Sequence, residues 1–268
     1  MKRRFLDIIK RDGIRLFLVK LIAKTLGVEI GIQRFRQEVW STLSKAHNHK
    51  VAYGPFKGMS LPKNLWWGDD RITQTLGIYE EHVLKQLIEN RNQGATKLID
   101  IGAADGYFAI GMTFSKIYQT CIAFEISEEG RKRISENAKS NRCEDCIEIH
   151  GEADLESLTK ALSGPETSTV LIDIEGCEYD LLNDKMLKLL SDSFVICELH
   201  NNLIDDGLAR ERALLQRASK YFNTSLIKRE TYNPNAFSEL NHLDDTHRLI
   251  AVSEGRSKNT EWLVCSPL

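Results

Sequence analysis

The chain has 268 residues, 42% of them hydrophobic and 28% charged, with a formal net charge of −2. That length holds one large α/β domain with a smaller appendage, and the composition is that of an ordinary globular protein. A charge so near neutral argues against a surface built to coat nucleic acid.

The charge is unevenly spread. The first 50 residues carry twelve Lys/Arg against four Asp/Glu. Within them, the apolar stretch from Ile14 to Ile32 is interrupted by Arg15, Lys20, Lys24 and Glu29, which argues against a membrane span. No cleavage-site pattern follows, which argues against a secretory signal. Residues 1–50 read as helical, either an amphipathic helix packed on the domain or a basic helix in peripheral contact with an anionic membrane face. Residues 51–76 have loop chemistry. Phe56, Trp66 and Trp67, with Tyr79 just beyond, suit stacking on a ligand, a lid, or packing on the core. Residues 79–91 place Val83, Leu84, Leu87 and Ile88 at helical spacing. The chain therefore divides into a helical, aromatic-rich extension over residues 1–90, acting as cap or lid, and a main domain over residues 91–268.

In the main domain strands and helices alternate. Strands are predicted at 97–102, 120–126, 147–151, 169–174 and 194–199, with helices at 107–117, 128–141, 155–162, 179–190 and 207–221. This rhythm indicates βαβ units and a mostly parallel sheet. From Ser225 onward the segments SLIK, RLIAVS and EWLVCS read as strands of an antiparallel edge.

Ligands of such sheets bind beyond the carboxyl ends of the strands, and the unusual residues gather there. After the first strand comes Asp100, then Gly102, Ala104, Asp105 and Gly106. The GxxxG spacing does not match the GxGxxG cradle of a dinucleotide, and two carboxylates would repel phosphate while suiting a cationic ligand. Glu125 ends the second strand, where an acid accepts hydrogen bonds from ribose hydroxyls. Asp154 follows the third strand as an adenine contact or a helix cap. The fourth strand ends in Asp173, Glu175 and Glu178 around Gly176, and the fifth in Glu198, His200 and Asn201. Acids beside a histidine suit a divalent ion or a base with an orienting partner. Glu178 and Asp180 also read as caps of the following helix. Near the end, Arg248 and Arg256 offer cations for an anionic acceptor or for salt bridges. Cys143 and Cys146 form a lone CxxC without the second pair a zinc site would need, and the scattered cysteines suit a reducing cytoplasm.

The segment LIDIGAADGYFAIGM resembles the S-adenosyl-L-methionine (SAM) motif of class I methyltransferases. VLIDIEGCEYDLL, with CELH downstream, resembles the FkbM-type methyltransferases, and GPFKGM and LGIYE are similar to segments of bacterial relatives associated with glycan modification. The resemblance spans roughly residues 97–203. It implies a class I methyltransferase (Rossmann-like) α/β fold, a seven-stranded mostly parallel sheet with helices on both faces, and methyl transfer from SAM to a hydroxyl of a sugar, glycan or related small molecule. It implies that Asp100, Gly102, Ala104 and Gly106 surround the methionyl part, that Glu125 holds the ribose, and that Asp173 and Glu175 sit at the reacting centre. By the pattern of metal-assisted O-methyltransferases of this fold, Asp173, Glu198 and Asn201 would hold Mg²⁺ or Mn²⁺, with His200 as base. The rival readings are a catalytically silent scaffold of this fold and a methyltransferase for a non-carbohydrate acceptor. A nucleic-acid methyltransferase is disfavoured because the chain lacks an Asn/Asp-Pro-Pro-aromatic motif.

Overall fold

The computed structural model describes residues 27–63, 70–256 and 261–268. The basic segment before residue 27, with its membrane-contact reading, lies outside the described residues, as do Trp66 and Trp67. No described helix is long and apolar enough to cross a membrane.

Three helices come first: α1 (Val28–Ala46), α2 (Arg71–Leu76) and α3 (Glu81–Asn92). The alternating region follows as β1 (Lys97–Ile101), α4 (Tyr107–Phe114), β2 (Thr120–Phe124), α5 (Glu128–Asn141), β3 (Ile147–His150), α6 (Leu155–Ala161) and β4 (Ser168–Ile172). It continues with α7 (Glu178–Leu181), α8 (Asp184–Leu189), β5 (Phe194–Leu199) and α9 (Gly207–Ala218), and ends with β6 (Phe222–Lys228), α10 (Asp245–Val252) and β7 (Glu261–Pro267). The helix predicted at 179–190 is split because Asn183 caps a new start, its side chain accepting from Lys185 N and Met186 N.

The strands form one sheet in the order β3-β2-β1-β4-β5-β7-β6. β3, β2, β1, β4 and β5 are parallel neighbours, and β7 runs antiparallel between β5 and β6. This is the α/β arrangement expected of a class I methyltransferase fold: seven-stranded, mostly parallel, helices on both faces.

The central strands are apolar because both their faces are covered. Leu98, Leu171, Ile196 and Trp262 point into a core shared with α3, α4 and α5. Ile99, Val170, Val195 and Leu263 point into a second core shared with α6, α8 and α9. Val51, Phe56 and Met59 are buried in the first of these cores, so Phe56 is a packing residue rather than part of a lid.

The segment RLIAVS, predicted as a strand, lies in α10 instead. Asp244 starts that helix by accepting from His247 N at 2.9 Å. Ala251 and Val252 are buried while Leu249 is exposed, a pattern set by packing against one face of a helix rather than by strand alternation. They join a third core with Val39 and Leu43 of α1 and Ile72 and Leu76 of α2. Arg36 of α1 ties the same elements together by donating to the carbonyls of Ile250 and Ser253. In this way α1 and α10 come to lie beside the carboxyl ends of the strands.

One close approach fixes the loops at those ends. Gly102 has φ +89°, and a Cβ there would stand 1.9 Å from the carbonyl oxygen of Asp173. The turn after β1 and the end of β4 touch only because this residue has no side chain. The variant Gly102→Ala should therefore lose about 3 kcal/mol of unfolding free energy, from left-handed strain plus overpacking. Denaturant unfolding measures it, and an unchanged midpoint would contradict the contact.

Candidate active site

The carboxyl ends of β1, β2, β3 and β4 open into a cavity of about 1390 Å³, roofed in part by residues of α1, α2 and α10. Ordinary ligand pockets run to roughly 300–1,000 Å³, so this one has room for two ligands side by side.

The first half of the cavity is built around the turn from Gly102 to Gly106. Glu125 lines it with its carboxylate held in place by two main-chain amides. Ala104 N donates to Oε2 at 2.9 Å and Ser127 N donates to Oε1 at 2.7 Å. Ala104 reaches that position in a left-handed conformation, φ +50°, uncommon for a residue with a side chain. Each carboxylate oxygen has a second lone pair left for a ligand donor. Asp100, 4% exposed, lines the same wall. Burial pushes its carboxyl up to about 7, against the hydrogen bond from the Ala109 main chain. Asp105 beside it is pushed up by burial to about 6, with Arg133 opposing. Ile126, Gly151, Glu152 and Ala153 close this end. Asp154 does not take part. It is exposed and caps α6, accepting from Ser157 N at 2.8 Å while Ser157 Oγ accepts from Asp154 N at 2.9 Å. Of its two readings the structure selects the cap.

The second half holds the acids after β4 and β5. Asp173 and Glu175 line the cavity, and Glu175 has φ +51° in the turn to Gly176. His200, 4% exposed, lies behind them. Its Nε2 faces Asp173 Oδ1 at 3.6 Å, Glu198 Oε2 at 3.6 Å and Glu175 Oε2 at 3.7 Å, while Nδ1 faces Glu178 Oε1 at 3.4 Å. Burial disfavours the imidazolium, but Glu178, Glu198 and Asp173 outweigh it and push the ring up to about 9. His200 sits behind Asp173 and Glu175 and does not itself line the cavity. Asp173 is raised well above the ordinary carboxylate range by burial and by Glu198, with His200 opposing.

Glu178 is fully buried and does more than cap α7. Its carboxylate accepts from Gly176 N at 2.8 Å and from His200 N at 2.7 Å, joining the loop after β4 to the end of β5. Burial opposes its charge, but the hydrogen bonds from His200 bring its pKa below the usual value.

The metal set implied by the resemblance does not converge. Asn201 is turned away, its Nδ2 donating to Glu211 Oε2 at 2.5 Å. Glu198 accepts from Arg256 Nη1 at 2.8 Å. Among the described residues it is Asp173, Glu175 and His200 whose donor atoms lie within 4.8 Å of one another.

Sequence reasoning missed what surrounds Arg256. The guanidinium donates to Glu80, Glu198 and Glu254, and Glu254 also accepts from Arg229 at 3.0 Å and Tyr232 Oη at 3.0 Å. Arg256 is therefore neutralised by buried acids rather than presented to an anion. Arg248 likewise pairs with Asp245 and Asn235. The segment LGIYE contained the one sequence hint, since its Glu80 is the buried acid. Tyr79, one of the aromatics named from the sequence, lines the second half together with Gln33 and Arg36 of α1 and Gln74 of α2, which nothing in their local sequence marks.

No family model matches the chain, and no curated protein matches it. Among solved structures it is similar to the O-methyltransferase from Bacillus cereus in complex with S-adenosylhomocysteine, at 13% identity and TM-score 0.49, over 87% of this chain and 91% of that one. It is similar to the O-methyltransferase TomG from Streptomyces achromogenes, involved in tomaymycin synthesis and in complex with SAM, at 14% identity and TM-score 0.47, over 86% and 90%. It is also similar to the B. subtilis m1A22 tRNA methyltransferase TrmK, at 16% identity and TM-score 0.45, over 69% of this chain but only 65% of TrmK. All three are methyltransferases, and the likeness is one of fold, already given by strand order and register.

Proposed function

We propose that this chain is a SAM-dependent methyltransferase of the FkbM type that methylates a hydroxyl oxygen of a sugar, glycan or related small molecule. The observation that carries the reading is the pair of buried carboxylates at the glycine turn. Glu125 is clamped by two amides with lone pairs to spare for a ribose diol, and Asp100 is a buried acid awaiting a cation such as the methionyl ammonium. Ile126 and Ala153 give the apolar contact that adenine needs. The donor set and the cavity size therefore fit SAM with room for an acceptor beside it. Six free cysteines suit a reducing cytoplasm, and the basic segment before residue 27 suits peripheral contact with the inner membrane face.

When bound, SAM supplies a methyl group made electrophilic by its sulfonium. The chain must hold the acceptor oxygen in line with that methyl and take the hydroxyl proton. Asp173 is suited to the second task. It lines the cavity, its Oδ1 is buried toward His200, and a raised pKa makes its ionised form the stronger base. Gln33, Gln74 and Tyr79 supply neutral polar contacts for a hydroxyl-rich acceptor. With Arg256 and Arg248 engaged internally, the support for an anionic acceptor is gone.

Three outcomes test the reading. Isothermal titration should show S-adenosylhomocysteine binding, weakened at least tenfold in Glu125→Ala through loss of the charged hydrogen bonds to the ribose; equal affinity would remove Glu125 from the site. Affinity should also rise with pH. With Asp100 near 7 in the free protein and only its ionised form pairing with the ammonium, the binding constant should climb about tenfold per unit below pH 7 and level off above it, and Asp100→Asn should flatten the profile. Asp173→Asn should abolish methyl transfer in a radiolabel assay against glycan and nucleotide-sugar fractions while leaving S-adenosylhomocysteine binding within about threefold. Normal turnover in that variant would refute the assigned chemistry.

A further inference from the structure

We propose that the loop after β4 and the end of β5 form a divalent-cation site whose ligands are Asp173, Glu175 and His200, with Glu178 orienting the histidine, and that this set selects Mn²⁺ over Mg²⁺. The inference deepens the proposed methyl transfer by giving its acceptor half a metal, but its test needs neither donor nor acceptor.

The argument starts from His200. The ring is 4% exposed, and its Nδ1 stands 3.4 Å from Glu178 Oε1, the wider side of its surroundings being that of Nε2. Nε2 points into a gap bounded by Asp173 at 3.6 Å and Glu175 at 3.7 Å. Two ligands each about 2.1 Å from a shared ion stand at most about 4.2 Å apart. Both imidazole–carboxylate separations fall inside that limit and beyond hydrogen-bond length, the spacing of atoms that share something between them. Asp173 and Glu175 line the cavity wall in front of His200, so an ion can enter past them and would keep positions free for an acceptor oxygen.

The surroundings match those of metal-binding histidines. Such a ring almost always gives its other N–H to a carboxylate or carbonyl, which fixes its tautomer and orientation. Here Glu178, fully buried, stands 3.4 Å from Nδ1 and also accepts the main-chain amides of His200 and Gly176. One carboxylate thus aims the imidazole ligand and holds the loop that presents Glu175. Glu198 adds negative charge behind the gap while Arg256 holds it in place.

The metal preference follows from ligand chemistry. Carboxylates and water suit Mg²⁺, Ca²⁺ and Mn²⁺ alike, but imidazole favours transition ions, and Mg²⁺ is usually held through carboxylates and water. Replacing the amide oxygen of an Asn by an imidazole nitrogen therefore shifts the site away from Mg²⁺. The ion would act as a Lewis acid that lowers the pKa of the acceptor hydroxyl.

The test is titration of the full chain, freed of metal by chelation and dialysis, with MnCl₂ alone, following free Mn²⁺ by electron paramagnetic resonance. One site is expected, with Mg²⁺ competing at least tenfold more weakly. Glu178→Gln should weaken Mn²⁺ binding about 10- to 100-fold, and Asn201→Ala should leave it unchanged. Because substitutions around a buried ring can unfold a chain, the decisive readout uses the unaltered protein. Electron spin-echo modulation of bound Mn²⁺ should show coupling to an imidazole nitrogen. No Mn²⁺ binding at millimolar concentration, a bound ion without nitrogen coupling, or equal affinity for Mg²⁺ would each overturn the assignment. S-adenosylhomocysteine titration, read separately, reports on the methyltransferase reading itself.

Discussion

Alternation along a buried strand is the constraint on which the site depends. Successive side chains of β1, β4 and β5 point to opposite cores, and Leu98, Leu171 and Ile196 share one of them. Two residues on, the same face receives Asp100, Asp173 and Glu198. These are core positions occupied by acids, at the level where the covering helices end and the cavity begins. A buried charge is costly unless it is paired. Glu198 has its partner in Arg256. Asp100 and Asp173 instead have carboxyls that burial raises above the ordinary range, the pattern that favours a functional site.

The loops that present these acids are held by one device used twice. Glu125 accepts the amides of Ala104 and Ser127, and Glu178 accepts those of Gly176 and His200. In each case a carboxylate binds two main-chain donors from different parts of the chain. In each case the loop it secures contains a non-glycine residue with positive φ, Ala104 in one and Glu175 in the other. Such conformations cost of order 1–3 kcal/mol and persist only when their surroundings over-determine them. At these two turns on the cavity, the buried glutamates are what over-determines the strain.

Much of this was legible in the sequence because it is local. The short apolar runs and the helices between them gave the parallel strands, and the glycine turn with its flanking acids marked the cavity's first half. Asp173, Glu175 and His200 were named from their positions at strand ends, and the structure brings them together. Asp154 shows the limit. A cap and a ligand contact have the same sequence signature, and only the cavity wall separates them. RLIAVS shows another, since a six-residue apolar run fits either period and the packing of α10 against α1 decided it. Asn201 failed because its neighbour Glu211, one turn into α9, competes for the side chain. The Arg256 cluster joins residues 80, 198 and 254, separations that no local pattern encodes.

The cavity's two halves have different origins in the chain. The first half comes from one continuous stretch, from Asp100 to Ala153. The opposite half is gathered from α1, α2, the turn at Tyr79, the loop after β4 and the segment from Leu249 to Arg256. Substitutions in α1, α2 and α10 can therefore reshape that half while leaving the stretch from Asp100 to Ala153 untouched.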